Sequence, residues 1–157
     1  MKLDRTDKKI LQLMQASGRI SNLELADKIG LSASPCSRRV KQLEDDGYID
    51  RHVTLLNSSK LGLKMTAMVS ISMDKHTPER FENFEQHINQ YPEVIECMLI
   101  TGQTADYLLK VVVSDMDYYQ HFLLGKLTRI DGVTGVQSSF VLRKIKATTE
   151  LPLDNLD

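Results

Sequence analysis

The chain of 157 residues has no tryptophan, only two cysteines and no apolar run approaching the length of a membrane span. Its amino terminus, MKLDRTDKK, is charged from the start and lacks an apolar signal core, so we expect a cytoplasmic protein with no membrane partner. Cys36 and Cys97 have neither a CxxC spacing nor partners for a zinc site. They are expected to be buried free thiols.

Clustered metal-ligating and catalytic residues are also missing. The four histidines are scattered, with no i, i+4 pair and no carboxylate motif beside them. A small enzyme would need a nucleophile or an acid–base pair, and no Ser/His/Asp or paired-carboxylate arrangement has an interpretable spacing. The sequence therefore predicts no metal, no cofactor and no catalysis.

The formal net charge of the whole chain is only −1, because a positively charged first part and a negatively charged second part nearly cancel. Residues 1–60 hold 11 Lys and Arg against 8 Asp and Glu, a net charge of +3, whereas residues 61–157 hold 9 against 13, a net charge of −4. A net charge near zero argues against a general nucleic-acid coat. The asymmetry instead separates a DNA-facing part from a part with another role.

Residues 21–49 have the pattern of two short helices joined by a tight turn. Ser21 and Glu24 form a capping box at the first helix, and Gly30 supplies the left-handed conformation that ends it. Pro35 suits a first helical turn, which places the start of the second helix near Ser32 or Ser34. Gly47 then ends this helix. Two helices joined in this way cross sharply, as in a helix-turn-helix.

The second helix has two different faces. Its packing face carries Cys36, Val40 and Leu43, and its outward face carries Ser34, Ser37, Arg38 and Lys41. Small hydroxyls let a helix approach a groove, and arginine can bind a guanine edge or a phosphate. Between Lys28 and Lys41 there is no acidic residue. The predicted DNA contacts are Ser21, Asn22, Ser32, Ser34, Pro35, Ser37, Arg38, Arg39 and Lys41.

Two amphipathic helices with a glycine turn also occur in many all-helical proteins, where a surface arginine is only a solvated charge. The DNA-binding interpretation is favoured because a preceding helix completes a three-helix unit. This first helix is capped by Asp4 and runs to about Ala16. The core of the unit is expected to include Ile10, Leu23, Ile29, Val40, Leu43 and Ile49.

The predicted domains are a helix-turn-helix domain at 1–49, a hinge strand and linker at 50–60, and a second domain at 61–157. The linker contains a short extended run from Val53 to Leu56. Its Arg51 and His52 are close enough to the helix-turn-helix to meet DNA backbone, and a solvated hinge is the other interpretation.

In the second domain the apolar residues begin to recur at every second position. This alternation predicts a strand from Met65 to Met73 that has one buried face. Further strands are predicted at 94–100, 107–113 and 135–146. Thr77-Pro78 and Ser114 begin the two helices between them. The order βαββαβ predicts an α+β protein with a ferredoxin-like second domain. Its helices cover only one sheet face, so we expect a second subunit, and hence a homodimer, to cover the other.

The whole chain resembles the Lrp/AsnC (feast/famine) family, through its opening LDRTDKKILQLMQ, the segment LSASPCSRRVKQLEDDGYI and the segment TGQTADYLLKV. The resemblance implies a winged-type helix-turn-helix followed by a RAM/ACT-like ferredoxin-like domain that dimerises and binds amino acids. It implies a sequence-specific transcriptional regulator that binds double-stranded DNA and responds to a free amino acid, with leucine and methionine as candidates. It further implies homodimers that assemble into higher oligomers, for which we expect an octamer.

The resemblance also places an effector site at the loop between the second and third strands, with support from the last strand. The implied residues are Thr101, Gly102, Gln103, Thr104, Ala105, Asp106, Tyr107, Gln137, Ser138 and Ser139. A glycine turn can direct N–H groups at a carboxylate, and Asp106 can pair with an α-ammonium. From the residues alone a second interpretation stays open, namely a plain hairpin loop in which Asp106 caps backbone N–H groups.

An alternative function is an architectural DNA-binding protein whose second domain only oligomerises. The two functions are distinguished by thermal unfolding with added amino acids, because a ligand that binds the native state raises its stability.

Overall fold

The structure is a computed structural model that describes residues 2–102 and 105–153. The chain divides into two compact units, one comprising residues up to Leu55 together with the segment from Lys146, and the other comprising Leu56–Ile145. The predicted boundaries differ, because the segment from Lys146 was expected in the second domain. Among the residues described, none of the helices has the length and apolar composition that a membrane crossing requires.

The first unit contains three helices, α1 (Arg5–Ala16), α2 (Asn22–Ile29) and α3 (Ala33–Asp45). The predicted caps are confirmed: Asp4 caps α1, and Ser21 and Glu24 form a capping box at α2. Gly30 ends α2 with φ 75°, a left-handed conformation that glycine adopts without strain. The resulting turn delivers the chain directly into α3.

The core of this unit lies between the three helices. Its buried residues are Ile10, Leu25, Ala26, Cys36 and Leu43, with Ile29, Val40 and Ile49 packed against them. The prediction that Leu23 is buried was wrong, since it is 72% exposed. Leu23 stands roughly 200° around α2 from the buried Leu25, which turns it away from the core.

The hinge strand predicted at Val53–Leu56 is not present, and Val53, Leu55 and Leu56 are exposed. A strand needs a hydrogen-bonded neighbour, which this segment lacks within its own described chain. Farther along, the Gln15 amide forms two hydrogen bonds of 2.9 Å with the backbone N–H and C=O of Leu151. These bonds explain why the segment from Lys146 belongs to the helical unit.

The second unit contains β1 (Met65–Met73), α4 (Pro78–Ile88), β2 (Val94–Leu99), β3 (Tyr107–Val113), α5 (Met116–Gly125), a 3-10 turn (Leu127–Arg129) and β4 (Val133–Phe140). The four strands form one antiparallel sheet in the order β2-β3-β1-β4. The predicted α+β architecture with a ferredoxin-like domain is confirmed.

Alternate residues of β1 and β3 point into a core shared with α4 and α5. The buried side chains include Val69, Ile71, Leu109, Val111, Phe84 and Phe122. The other face of the sheet carries half-buried Met68 and Leu108. Because successive side chains of a strand point to opposite faces, the apolar ones bury one sheet face beneath α4 and α5. No described helix of this unit covers the opposite face.

Three local predictions were wrong. The cap of α5 is Asp115, whose carboxylate accepts from the Tyr118 N–H and from the Ser114 hydroxyl. Strand β4 runs from Val133 to Phe140 instead of 135–146, because its partner β1 begins at Met65 and offers no backbone beyond that point. Cys97 is exposed, since it lies on the edge strand β2.

Candidate DNA-binding helix and effector loop

The start of α3 is fixed by contacts with α2. The Asn22 side-chain amide donates a 2.9 Å hydrogen bond to the Ala33 carbonyl, which ties the first turn of α2 to the first turn of α3. The hydroxyl of Ser21 is engaged with Glu24 in the capping box. Ser32 is the N-cap of α3 but does not cap it with its side chain, and it is exposed.

The predicted two-faced character of α3 is confirmed. Ser34, Ser37, Arg38 and Lys41 are exposed, whereas Cys36 and Leu43 are fully buried. Burial also raises the pKa of the Cys36 thiol. Pro35 lies in the first turn and is half-buried. The outward face of α3 therefore presents hydroxyls and positive charge to solvent.

Arg39 differs from its neighbour Arg38. Its Nη1 lies 2.7 Å from Asp4 Oδ2 and 2.7 Å from Asp7 Oδ1, so it joins α3 to the beginning of α1. Hydrogen bonding to the Asp7 N–H, and then to Arg39, lowers the pKa of Asp4 below its ordinary value. The sequence pattern did not indicate this pair, because 32 positions separate Arg39 from Asp7.

In the loop between β2 and β3, the backbone and the carboxylate of Asp106 both make polar contacts with neighbouring residues. Its N–H donates to the Ile71 carbonyl and its carbonyl accepts from the Ile100 N–H, both at 2.8 Å. Its carboxylate accepts from the Met73 N–H at 2.7 Å, and His76 Nε2 lies 2.8 Å from its Oδ1. Asp106 thus caps a backbone N–H, as the hairpin interpretation required, but the N–H belongs to β1. His76 was not found by sequence reasoning, since no local pattern links it to Asp106.

The other predicted loop residues have different environments. Thr101 and Gly102 are exposed and Ala105 is half-buried, while Gln103 and Thr104 lie outside the described residues. Tyr107 is buried and its hydroxyl donates a 2.7 Å hydrogen bond to Glu85. Burial, and then the Glu85 carboxylate, raises the pKa of Tyr107. A neutral tyrosine therefore closes the base of the loop.

Tyr107 also lines a cavity of about 190 Å³. Its other lining residues are Glu85, Ile88, Asn89, Cys97 and Leu99. Although the residue is partly open to solvent, the protein atoms around the thiol desolvate it, and this, followed by the Glu85 charge, raises the pKa of Cys97 to about 11. This thiol is protonated at neutral pH and is a poor nucleophile.

The predicted residues of β4 are divided between the two sheet faces. The Ser138 hydroxyl is hydrogen-bonded to the Tyr119 hydroxyl on the helix side, whereas Gln137 and Ser139 are exposed on the other side. Ser70 of β1 pairs with both Gln137 and Leu108. Because β1 separates β4 from β3, the described chain does not bring Gln137 into contact with the Asp106 loop.

Within residues 2–102 and 105–153, no group of three or more His, Cys, Asp or Glu side chains could hold a metal ion.

Comparison with known proteins matches both units. Residues 3–50 match the winged helix-turn-helix DNA-binding family, and residues 66–151 match the Lrp/AsnC ligand-binding domain. The Bkd operon transcriptional regulator of Pseudomonas aeruginosa is 42% identical over 96% of this chain and 98% of its own length. The leucine-responsive regulatory protein of Escherichia coli is 38% identical over 95% and 90%.

A solved transcriptional regulator from Neisseria meningitidis, in complex with L-Met, superposes with a TM-score of 0.95 at 44% identity and covers 99% of both chains. These relatives are transcriptional regulators, not enzymes. The chain belongs to the Lrp/AsnC family of transcriptional regulators, with a winged helix-turn-helix DNA-binding domain and an Lrp/AsnC ligand-binding domain.

Proposed function

We propose that this regulator binds specific DNA sequences through α3 and that a free amino acid changes its assembly or its activity. The observation that carries the proposal is the exposed face of Ser34, Ser37, Arg38 and Lys41 on a buried and capped three-helix unit. This unit is joined, in one chain, to a ligand-binding domain.

In this proposal the beginning of α3 enters the major groove, where the N-terminal residues of a recognition helix make base contacts. Arg38 is the base-reading residue, since its side chain leaves the helix on the outward face. Lys41 and the hydroxyls of Ser32, Ser34 and Ser37 contact phosphate or sugar. Ser21, Asn22 and Pro35 shape the approach, and Arg39 acts from behind by holding α3 against α1.

The amino-acid effector is proposed from two kinds of support. One solved relative was crystallised with L-Met and another relative is named for its response to leucine, so methionine and leucine are the first candidates. The chemistry of the loop agrees, because Asp106 is a partly buried carboxylate in the same loop as the exposed Gly102. An α-ammonium pairs with the carboxylate, and backbone N–H groups receive the α-carboxylate.

The proposed assembly is a homodimer that associates further, with an octamer as the expected size. Its support is the sheet face away from α4 and α5, where Met98 lies opposite Leu108 and Met68 lies diagonally across from Leu108, opposite Lys110. A second copy that covers this face would bury apolar surface left by a single chain.

The test of the function is thermal unfolding of the full chain with each natural amino acid, followed by operator binding and sedimentation with any amino acid that raises the Tm. We expect at least one amino acid, foremost L-Met or L-Leu, to raise the Tm and change the assembly or DNA binding. Asp106→Asn is the sharpest variant, since it retains an acceptor for the Met73 N–H and removes the charge. It should stay folded and bind operator without the amino-acid effect.

A chain that binds operator and assembles, but responds to no amino acid, would be an architectural DNA-binding protein instead. An unaltered response in Asp106→Asn would place the effector elsewhere in the ligand-binding domain.

A further inference from the structure

The carboxylate of Asp106 has two partners that differ in how firmly they are held. The Met73 N–H belongs to the last residue of β1, whose side chain is buried in the core of the sheet unit. His76 lies in the loop between β1 and α4, and its side chain is 68% exposed. Breaking the Met73 bond would take an acceptor from the backbone N–H of a buried residue, whereas His76 can leave by rotation of one exposed side chain.

His76 and the Met73 N–H contact different oxygens of the Asp106 carboxylate, so His76 competes with an effector for one oxygen. Its Nε2 contacts Oδ1 of Asp106, whereas the Met73 N–H donates to Oδ2. The imidazole also lies near the ring of Phe81 on α4, with 5.9 Å between ring centroids and a tilt of 41° between the ring planes. The imidazole therefore covers the oxygen that remains after the backbone bond is made. An incoming ammonium is a nitrogen donor that would bind the same oxygen.

We propose that His76 is an intramolecular competitor of the effector, which displaces the imidazole from Asp106 Oδ1 while the Met73 bond stays in place. This inference rests on the proposed role of Asp106 in binding an amino acid. The free energy of the His76–Asp106 contact is then subtracted from that of effector binding. His76 thereby weakens the apparent affinity and moves the response to higher amino-acid concentrations.

The expected effect is modest because the contact is partly solvated. A solvent-screened contact of this kind is weak, so removal of His76 should tighten amino-acid binding by up to about five-fold. His121→Ala is the matched control, since His121 is an exposed histidine on α5 whose Nδ1 lies 2.8 Å from the Asp117 carbonyl of its own helix. It should leave the affinity unchanged.

The experiment is calorimetry of the full chain with L-Met and L-Leu, and then with the other natural amino acids, for the wild type, His76→Ala, Asp106→Asn and the double variant. We expect tighter binding by His76→Ala and no gain from the same change in the Asp106→Asn background. In NMR spectra of the wild type, amino acid should shift the His76 ring signals toward their position in Asp106→Asn.

The outcomes separate this inference from the proposed function. Equal or weaker binding by His76→Ala, with normal binding by the wild type, overturns the competition and leaves the proposed function in place. A gain that persists without the Asp106 charge also overturns it. Amino-acid binding by His76→Ala, with no measurable binding by the wild type, supports the inference and means that His76 prevents most of the effector binding. Absence of amino-acid binding in both proteins overturns the proposed function and this inference together.

Discussion

Arg39 and Asp7 are joined by a contact of 2.7 Å between Nη1 and Oδ1, and the side chain of Asp7 is only 4% exposed. Asp7 is also part of the capping box of α1, where its other oxygen accepts from the Asp4 N–H. One buried carboxylate therefore connects the first turn of α1 to the middle of α3. A buried charge that loses its partner is costly, so this pair fixes α3 in the domain.

The first prediction concerns this pair. Arg39→Ala should destabilise the full chain by about 1–2 kcal/mol, because it leaves the buried Asp7 charge without its cation while the exposed Arg39 side chain limits the cost. Urea unfolding measures the change. In a double-mutant cycle, Asp7→Asn should remove most of the effect of Arg39→Ala. Additive effects would show that the two residues act independently.

The second prediction contrasts Arg38 with Arg39. Arg38→Ala should change stability by less than about 0.5 kcal/mol, since its side chain is exposed, and should weaken operator binding by about 1–3 kcal/mol with relaxed specificity. If Arg38 instead contacts phosphate, the salt slope falls by about one. Operator titrations at several salt concentrations distinguish these results. If Arg38→Ala binds operator with wild-type affinity, Arg38 is not part of the DNA interface. Arg129→Ala, in the ligand-binding domain, is the control.

The third prediction is a loss of stability in acid through Glu93. Its Oε1 lies 2.6 Å from Lys126 Nζ and accepts from the Tyr118 hydroxyl, and its Oε2 is buried with no hydrogen-bond partner among the described residues. Burial by itself raises the pKa of Glu93, but the Lys126 hydrogen bond and those of the backbone and Tyr118 outweigh it, so the pKa lies below its ordinary value of 4.5.

Because the folded-state pKa is lowered, the stabilisation by ionised Glu93 is present above pH 4.5 and is lost as the pH falls through the folded-state value. The wild type should therefore lose stability more steeply than Glu93→Gln when urea unfolding is followed from pH 7 to pH 3. At pH 7 the variant should be less stable by about 1–3 kcal/mol. Parallel stability curves would mean that Glu93 contributes no linkage.

Local patterns predicted the elements that depend on local physics. The alternation of Met65–Met73 and Tyr107–Val113 matches β1 and β3 residue for residue, because a strand with one buried face must alternate. The outward face of α3 followed from helical spacing in the same way. Contacts between distant segments were not predictable from these patterns, and they include Arg39–Asp7, His76–Asp106 and Gln15–Leu151. The strand predicted at Val53–Leu56 had the right residues but no neighbour with which to pair.

The fourth prediction concerns Gly132, which precedes β4 with φ 94°. A Cβ at this position would lie 2.4 Å from Arg80 Cδ, and Arg80 is held by Asp74 at 3.0 Å and Asp131 at 2.5 Å. Gly132→Ala should therefore destabilise the chain by more than about 2 kcal/mol, from the left-handed backbone and the displaced Arg80. Gly125→Ala is the control, because its added carbon meets no described atom within 4 Å apart from its chain neighbours and the backbone of its own helix. Arg80→Ala should relieve part of the cost.

The fifth prediction tests the sheet face that we propose as the subunit interface. The full chain should sediment as a dimer or larger at micromolar concentration, because a second copy can cover Met68, Leu108 and Met98. Met98 is 40% exposed, so Met98→Glu can be accommodated by the folded chain and should shift the assembly toward monomer by placing a charge in an apolar contact. Gln120→Glu, on the exposed side of α5, adds the same charge away from this face and should not. A folded wild-type monomer would exclude the proposed subunit interface. Equal assembly by Met98→Glu and Gln120→Glu would place the interface elsewhere.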